Sequence, residues 1–363
     1  MRELGCKKSR SKMESSMSMR RRLFLFLIAS GLAAQDLGHD MPGIIIDVRT
    51  APTAVRCDGR YLLQYELGVT NGHSVNLTVQ RIEIFGPGPL LKLEGESLAK
   101  AFANGYHIKA VIPGEKSTAL LLAVFTDRVP ASLTHRITFQ VGDDPEPLIV
   151  EQSGTPVRVN TLRIAAPLSG DKWMAANGPT DNNHHTSGFM PYQGRVHVPQ
   201  RFAIDFVRLQ EDGNTHHGDP KDNRSYRCYG AEALAVANAR VVDVRDGIPE
   251  NKPDPTERAV KMTLDTVSGN HVTLDLGGGR FAHYAHLQPG SIRVKKGDSV
   301  RRGQVLGLVG NSGNTTEPHL HFQISDSPLI LAGDGLPYVL ERFAHEGKTV
   351  RDELPRGGWT IDF

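Results

Sequence analysis

Residues 43–159 contain short, largely apolar runs of β-strand type separated by polar residues. The runs end at turn-forming residues such as Gly86-Pro87-Gly88-Pro89. The predicted strands cover residues 44–48, 61–67, 75–79, 81–85, 119–125 and 133–139. Strands and turns at this spacing predict an immunoglobulin-like antiparallel β-sandwich over residues 43–159.

The pattern remains strand-like over residues 160–350, which we interpret as a second β domain. The predicted strands cover residues 201–207, 233–237, 239–244, 271–276 and 280–287, and three consecutive glycines at 277–279 join the last two in a hairpin. The polar stretch 171–183 is expected to be a loop that leads into this domain, and one short helix is expected near residues 338–345.

The N-terminus has the features of an export signal. Three arginines, Arg20 to Arg22, precede a short apolar run at residues 23–34 that ends in small residues, and translation could start at Met17 or Met19. The run is short for a membrane span, so we interpret residues 1–34 as a signal peptide, with an uncleaved anchor as the alternative. The mature protein is then periplasmic or extracellular and meets a membrane only during export.

Charge and cysteine content narrow the possible functions. The chain has 42 Lys and Arg against 40 Asp and Glu, so it has no basic surplus with which to bind nucleic acid. After signal cleavage two cysteines remain, Cys57 and Cys228, in different predicted domains. We therefore predict two free, buried thiols rather than a disulfide.

Two histidines flank a single apolar residue at His319-Leu320-His321, where a strand is predicted to begin. Side chains alternate along a strand, so His319 and His321 share one face while Leu320 points to the other. Two adjacent imidazoles could divide the chemistry, one binding a metal and the other transferring protons. A pair of surface histidines is the simpler alternative.

Two further side chains are candidates for the same site. Asp205 lies between apolar Ile204 and Phe206, where a buried carboxylate is costly unless it is paired or bound to a cation. The alternative to a metal ion is a salt bridge with Arg201. His286 is expected to share a strand face with Tyr284, which indicates a site rather than a core, although a surface histidine would show the same pattern.

Taken in chain order, several segments carry a family resemblance. They are Phe202-Ala203-Ile204-Asp205-Phe206, Tyr229-Gly230, Tyr284-Ala285-His286-Leu287, Gly297-Asp298, residues 307–313 and His319-Leu320-His321-Phe322. Over about residues 200–326 the sequence resembles the M23 zinc metallopeptidases, the lysostaphin-like group.

The resemblance implies an antiparallel β-sheet domain that binds one Zn²⁺ and cuts peptide bonds of bacterial peptidoglycan. By the same resemblance Asp205 and His321 match metal ligands, and His286 and His319 match the catalytic histidines beside the metal. The expected function is an exported zinc endopeptidase whose partner is a peptidoglycan peptide. The alternatives are an inactive M23-like protein that binds the cell wall or activates an amidase, and a peptidase acting on other peptides.

One position departs from the family pattern. The first ligand of the family is a histidine four residues before the aspartate, and here that position is Arg201, which cannot bind zinc. The histidines that could replace it are His184, His185, His197, His216 and His217. We predict His185 as the third ligand; the alternatives are that residues 184–185 form a solvated loop and that the site is inactive.

Overall fold

The structure is a computed structural model that describes residues 43–103, 110–179, 185, 188–254 and 256–363. The predicted signal peptide and His184 lie outside the described residues. From residue 43 onward the chain forms one compact unit. In this described part, no helix is both long enough and apolar enough to span a bilayer.

Residues 43–159, here called the N-terminal part, form two antiparallel sheets. Their elements are β1 (Ile44–Val48), β2 (Ala54–Cys57), β3 (Arg60–Asn71), β4 (Leu77–Phe85), β5 (Pro89–Glu94), α1 (Glu96–Ala103), β6 (Val111–Ile112), β7 (Ser117–Thr126), β8 (Ser132–Val141) and β9 (Leu148–Pro156). In the first sheet β3 pairs with β1, β2 and β7; the second has the order β5-β4-β8-β9, with β6 beside β4.

Strand β3 is buried on both of its faces. Leu63, Tyr65 and Leu67 belong to the hydrophobic core that the two sheets share, while Leu62 belongs to a different core with the rest of the chain. Residues 63–67 alternate between apolar and polar, and Leu62 adds an apolar side chain on the face opposite the sandwich core. The sandwich-like packing of two sheets is present, and its immunoglobulin-like character remains a prediction.

Residues 160–363, here called the C-terminal part, are also mostly strands. They are β10 (Leu162–Ile164), β11 (Trp173–Ala176), β12 (Met190–Tyr192), β13 (Arg195–His197), β14 (Ile204–Arg208), β15 (Glu232–Leu234), β16 (Ala239–Arg245), β17 (Asn270–Asp275), β18 (Phe281–Leu287), β19 (Ser299–Val300), β20 (Val305–Leu308), β21 (Leu320–Ser325), β22 (Tyr338–Leu340), β23 (Phe343–His345), β24 (Lys348–Val350) and β25 (Thr360–Asp362), with a 3₁₀ helix at Asn223–Ser225.

A ten-stranded sheet organises the C-terminal part in the order β19-β16-β17-β18-β21-β14-β11-β25-β23-β24. Its pairings are antiparallel, so the predicted fold class, mostly β with antiparallel sheets, is confirmed. Strands β18, β21 and β14 are neighbours at its centre. They carry His286, His321 and Asp205, and His319 immediately precedes β21.

Two local predictions were wrong. The stretch 171–183 is not simply a loop, because β11 lies within it and pairs with β14 on one side and β25 on the other. The side chains of Trp173 and Ala175 on this strand are buried. The helix expected near residues 338–345 is absent from the described chain there; β22 pairs in parallel with β10, and β23 pairs with β24 and β25. In both segments pairing with distant strands determines the structure, and these partners are not visible in a local pattern.

Both cysteines are free and buried, as predicted. Cys57 and Cys228 belong to the same hydrophobic core, the one that joins the two parts of the chain. Burial raises the pKa of each thiol to about 12, so both remain protonated and unreactive at neutral pH.

Candidate metal centre

The pairing of β14 with β21 places Asp205 directly opposite His321. His185, from the segment before β14, completes a buried cluster with them. The cluster offers two imidazole nitrogens and a carboxylate oxygen, all within 4.8 Å of one another. These are donor types that zinc prefers in catalytic sites.

The outer hydrogen bonds of His321 fix which of its nitrogens faces the cluster. Its Nε2 lies 2.8 Å from Oε1 of Gln323. The Gln323 amide nitrogen donates to the carbonyls of Pro199 and Ile330, at 3.1 and 3.0 Å, which orients Oε1 as an acceptor toward the ring. His321 therefore donates from Nε2, and its Nδ1 presents a lone pair 2.8 Å from Oδ1 of Asp205.

His185 is also oriented by a hydrogen bond on its outer side, which in this ring comes from Nδ1 instead of Nε2. Its Nδ1 donates to the carbonyl of Asn177 at 3.0 Å, so its Nε2 carries the lone pair, 3.2 Å from Oδ2 of Asp205. The Asn177 side chain also donates to that Oδ2 at 2.9 Å. Asn177 thus contacts both His185 and Asp205 and fixes their relative positions.

These contacts fit a divalent cation. Lone pairs of two imidazoles face one carboxylate, an arrangement that needs a proton or a cation between the acceptors. Burial by itself raises the pKa of Asp205, but His185 and His319 outweigh it, and the pKa is well below its usual value. The carboxylate is therefore charged and available as a ligand. The residues present fit a zinc ion.

His286 reaches the cluster through a break in the strand. Residue Tyr284 pairs with Phe322, and both pack in the core, whereas Ala285 pairs with His321 on the site face. Simple alternation would send His286 to the core side with Tyr284, so the predicted shared face was wrong. The register shifts nearby, and His286 has φ +65°, which turns its ring toward the site.

The rings of His286, His319 and His321 lie close together. The His286 ring centroid is 4.9 Å from that of His319 and 5.8 Å from that of His321. His286 donates from Nδ1 to the carbonyl of Ser312 at 2.8 Å, so its Nε2 is the nitrogen with a lone pair. Burial, with His319 and His321 nearby, holds the pKa of His286 well below its usual value, so this ring is neutral.

His319 is held on its outer side by the loop that precedes it. Its Nδ1 donates to the carbonyl of Glu317 at 2.9 Å and lies 3.1 Å from the Thr315 hydroxyl. Its Nε2 is 3.4 Å from Oδ1 of Asp205. Burial lowers the pKa of His319, but the Asp205 carboxylate outweighs this, and the pKa is raised. His319 and His286 therefore have opposite protonation tendencies within one site.

A cleft of about 170 Å³ opens beside His286 and His321. Its other walls are formed by Gly188, Phe189, Met190, Pro199, Gln200, Val267, Ser268, Ala285, Asn314, Ile330 and Leu331. The walls are partly apolar with a few polar groups, as is usual for a small-molecule or peptide site.

The other histidine candidates are held elsewhere. His197 lies 3.4 Å from Asp334, and the ring of His216 packs against Tyr226 with 5.2 Å between centroids. His217, whose backbone N–H donates to the Ser225 carbonyl, is not among the three residues of the described cluster. The suggested pairing of Asp205 with Arg201 was wrong, because the Arg201 guanidinium bonds to Glu66 of the N-terminal part.

Sequence reasoning missed two residues that orient the cluster. Gln323 lies two positions after His321 on a strand, and that spacing alone places it on the same face. Asn177 has φ +50° and precedes Gly178, so it is a turn residue whose contact with Asp205 depends on tertiary structure. Only Gln323 had a usable signal in the sequence.

A family model described as Peptidase family M23 matches residues 227–329, which include His286, His319 and His321. The matched segment, residues 227–329, is similar to peptidase family M23 and is here called the M23 part. Asp205 and His185 lie before the matched residues of this M23 part, so their assignment depends on the geometry.

Curated relatives match this chain over short stretches. Peptidoglycan DD-endopeptidase ShyA of Vibrio cholerae serotype O1 is 46% identical over 57 residues, 16% of this chain and 13% of that protein. ShyC of the same organism, also a peptidoglycan DD-endopeptidase, is 27% identical over 123 residues, 34% of this chain and 26% of its own length. The match thus spans about a quarter or less of these relatives. The solved catalytic domain of lysostaphin from Staphylococcus simulans is 20% identical, covering 46% of this chain and 88% of that domain, with a TM-score of 0.26.

Proposed function

We propose that this protein is an exported, zinc-dependent endopeptidase that hydrolyses peptide bonds of bacterial peptidoglycan. The observation that supports it best is the cluster of His185, Asp205 and His321, in which each histidine turns a lone pair toward the same carboxylate. The match to peptidase family M23, together with relatives that are peptidoglycan DD-endopeptidases, supports the proposed reaction class and substrate.

In this proposal His185, Asp205 and His321 hold the metal. Zinc, when bound, lowers the pKa of water and polarises a carbonyl group. The chain's own contribution begins with His286. Because its low pKa keeps the ring neutral, its Nε2 lone pair is free to accept a proton from the attacking water, and the bond from Nδ1 to the Ser312 carbonyl holds the ring in place.

His319 has the complementary role. The carboxylate of Asp205 favours its protonated form, and the bond from Nδ1 to the Glu317 carbonyl directs Nε2 toward the cluster. A protonated Nε2 donates a hydrogen bond to the oxygen of the scissile carbonyl as negative charge develops on it. The two histidines thus act as a base and a hydrogen-bond donor.

The alternative of an inactive M23-like protein was motivated by Arg201. In the structure His185 lies beside Asp205 and offers a ring nitrogen as a metal ligand, while Arg201 is bonded to Glu66. The arginine at position 201 is therefore accompanied by a histidine ligand from another segment. We propose the same boundaries as before: a signal peptide at 1–34, a β-sandwich at 43–159 and the peptidase domain at 160–350.

The proposal is tested by metal analysis and muropeptide digestion with the purified mature chain. We expect about one zinc per chain and cleavage of peptide cross-links. His185→Ala should lose the zinc, whereas His197→Ala, which removes a histidine held by Asp334, should retain it. His286→Ala should retain zinc and lose on the order of 10²–10⁴-fold in kcat.

A folded chain that binds no zinc and cleaves no muropeptide would contradict the proposed activity. Zinc binding that survives His185→Ala but not His197→Ala would contradict the ligand assignment while leaving the activity standing.

A further inference from the structure

A buried ion pair connects the two parts of the chain close to the candidate metal centre. Arg201 Nε donates to Oε1 of Glu66 at 2.9 Å, and its Nη2 donates to the same oxygen. Side-chain exposure is 4% for Arg201 and 5% for Glu66, so both charges are almost fully withdrawn from water. Removing one partner of such a pair is costly because the other charge remains buried and unpaired.

Glu66 comes from the middle of β3, on the face of the first sheet that is turned away from the sandwich core. Its strand neighbours Leu63, Tyr65 and Leu67 belong to that core, whereas Leu62 joins the core of the C-terminal part. Even-numbered positions of β3 therefore face the C-terminal part. Glu66 extends a carboxylate from the N-terminal part across this boundary.

Arg201 sits in the turn that leads into β14, four residues before Asp205. Besides Glu66 it contacts the carbonyl of Gly335 at 3.3 Å and Asp334 at 3.4 Å. Gly335 in turn packs on the Arg201 backbone, where a Cβ would approach the Arg201 carbonyl oxygen to 2.1 Å. The guanidinium thus ties the turn to the segment around Gly335 and to β3.

The same turn supports His321. The carbonyl of Pro199 accepts a hydrogen bond from the Gln323 side chain at 3.1 Å. The Oε1 of Gln323 then accepts from Nε2 of His321 at 2.8 Å, the bond that leaves Nδ1 for a metal. A continuous series of contacts therefore runs from Glu66 through Arg201, the turn and Gln323 to a metal ligand.

We propose that Glu66 of the N-terminal part is a positioning residue for the zinc centre, acting through Arg201. The pair holds the turn at residues 199–202 so that the Pro199 carbonyl fixes the Gln323 amide and, through it, the orientation of His321. Arg201, which replaces a ligand of the family pattern, has become a support for the ligands. This inference rests on the proposed zinc-dependent function.

The test compares two carboxylates at the same boundary between the parts. Glu353 is also buried there, and its carboxylate accepts hydrogen bonds from Arg56 and from the Gly59 backbone N–H rather than from the turn at 199–202. Glu66→Gln and Glu353→Gln are made in the full chain, and zinc affinity is measured by competition with a chromophoric chelator below the melting temperature.

We expect Glu66→Gln to weaken zinc binding about 10-fold or more, the usual effect of losing an orienting partner, and Glu353→Gln to leave it within about twofold. Both variants should lower the melting temperature, because both disturb the boundary. Equal zinc affinities in the two variants and the wild type would overturn the inference. Failure of the wild type itself to bind zinc would instead overturn the proposed function.

If Glu66→Gln does not fold, Arg201→Lys provides the same test. Lysine keeps a charge opposite Glu66 but cannot reproduce the forked contacts with Glu66, Gly335 and Asp334. The Co²⁺-substituted variant should show a visible absorption spectrum changed from that of the wild type, because the ligand geometry changes. An unchanged spectrum together with unchanged zinc affinity would overturn the positioning role.

Discussion

His283 is a buried, uncharged histidine on the site face of β18. The N–H at Nε2 donates to the Ser327 carbonyl at 3.1 Å, and Nδ1 lies 3.0 Å from the Thr273 hydroxyl, which donates to it. Burial lowers the pKa of His283 to about 3. In the unfolded chain the same group titrates near its ordinary value of 6.5. The two states therefore bind different numbers of protons between these values.

The free energy of unfolding should fall as pH falls from about 6.5 toward 3. In this window the unfolded state binds a proton at His283 and the native state does not, so acid favours unfolding; above about 6.5 the contribution is fully present. The expected slope from this group is at most about 1.4 kcal/mol per pH unit.

Urea unfolding at several pH values measures this slope for the wild type, His283→Gln and His345→Gln. His283→Gln should flatten the pH dependence of the free energy of unfolding. His345→Gln is the control, because the His345 ring is partly exposed and stacked on Trp359, and it should leave that dependence as in the wild type. Equal slopes for the wild type and His283→Gln would show that this histidine is not the source.

At the scale of elements, the site depends on a close crossing of two loops behind His286. Gly269 and Ser312 meet so closely that a Cβ on Gly269 would approach the Ser312 carbonyl oxygen to 2.2 Å. That oxygen accepts the hydrogen bond from Nδ1 of His286, and the His286 backbone N–H donates to Ser268 next to the glycine. The loop crossing thus fixes the His286 ring.

Gly269→Ala should reduce kcat on the order of 10²-fold, because moving Ser312 shifts the His286 ring. Gly278→Ala is a matched control. The two glycines have φ of +61° and +62°, but a Cβ at Gly278 meets no atom within 4 Å. Both variants should lose about 1–2 kcal/mol of stability from the backbone conformation.

Steady-state kinetics on a muropeptide, with thermal unfolding of both variants, separates the steric effect from the backbone effect. Similar kcat values in the two alanine variants would mean that the loop crossing does not position His286.

Elements whose partners are near in sequence or strictly periodic were predictable. The strand that begins at Leu320 was predictable, and His319 just before it has its ring beside Asp205, as His321 does. The apolar neighbours of Asp205 likewise indicated a buried carboxylate. By contrast, β11 and β22 form because distant strands pair with them, and the His286 ring points to the site because of one residue at positive φ. Such features depend on tertiary contacts, which periodicity does not encode.

At the scale of the whole molecule, the first sheet of the N-terminal part is covered on both faces. Val55, Cys57 and Leu62 belong to the core of the C-terminal part, and Arg356 reaches Asp58 at 2.7 Å. The backbone N–H of Leu354 donates to the Arg56 carbonyl. Separating the parts would expose this apolar surface, so each stabilises the other.

We therefore expect residues 43–363 to unfold in one cooperative transition. The chain has two tryptophans, Trp173 and Trp359, and both lie in the C-terminal part, so fluorescence reports on that part alone. Circular dichroism reports on the strands of both parts. Coincident fluorescence and circular dichroism curves in urea are the expected outcome, as for a single domain. If the N-terminal part unfolded independently, the dichroism curve would show a second step without change in fluorescence, and the shared core would not couple the two parts.

Glu66→Gln should move both curves together to lower urea, because the ion pair belongs to the coupled boundary rather than to either part.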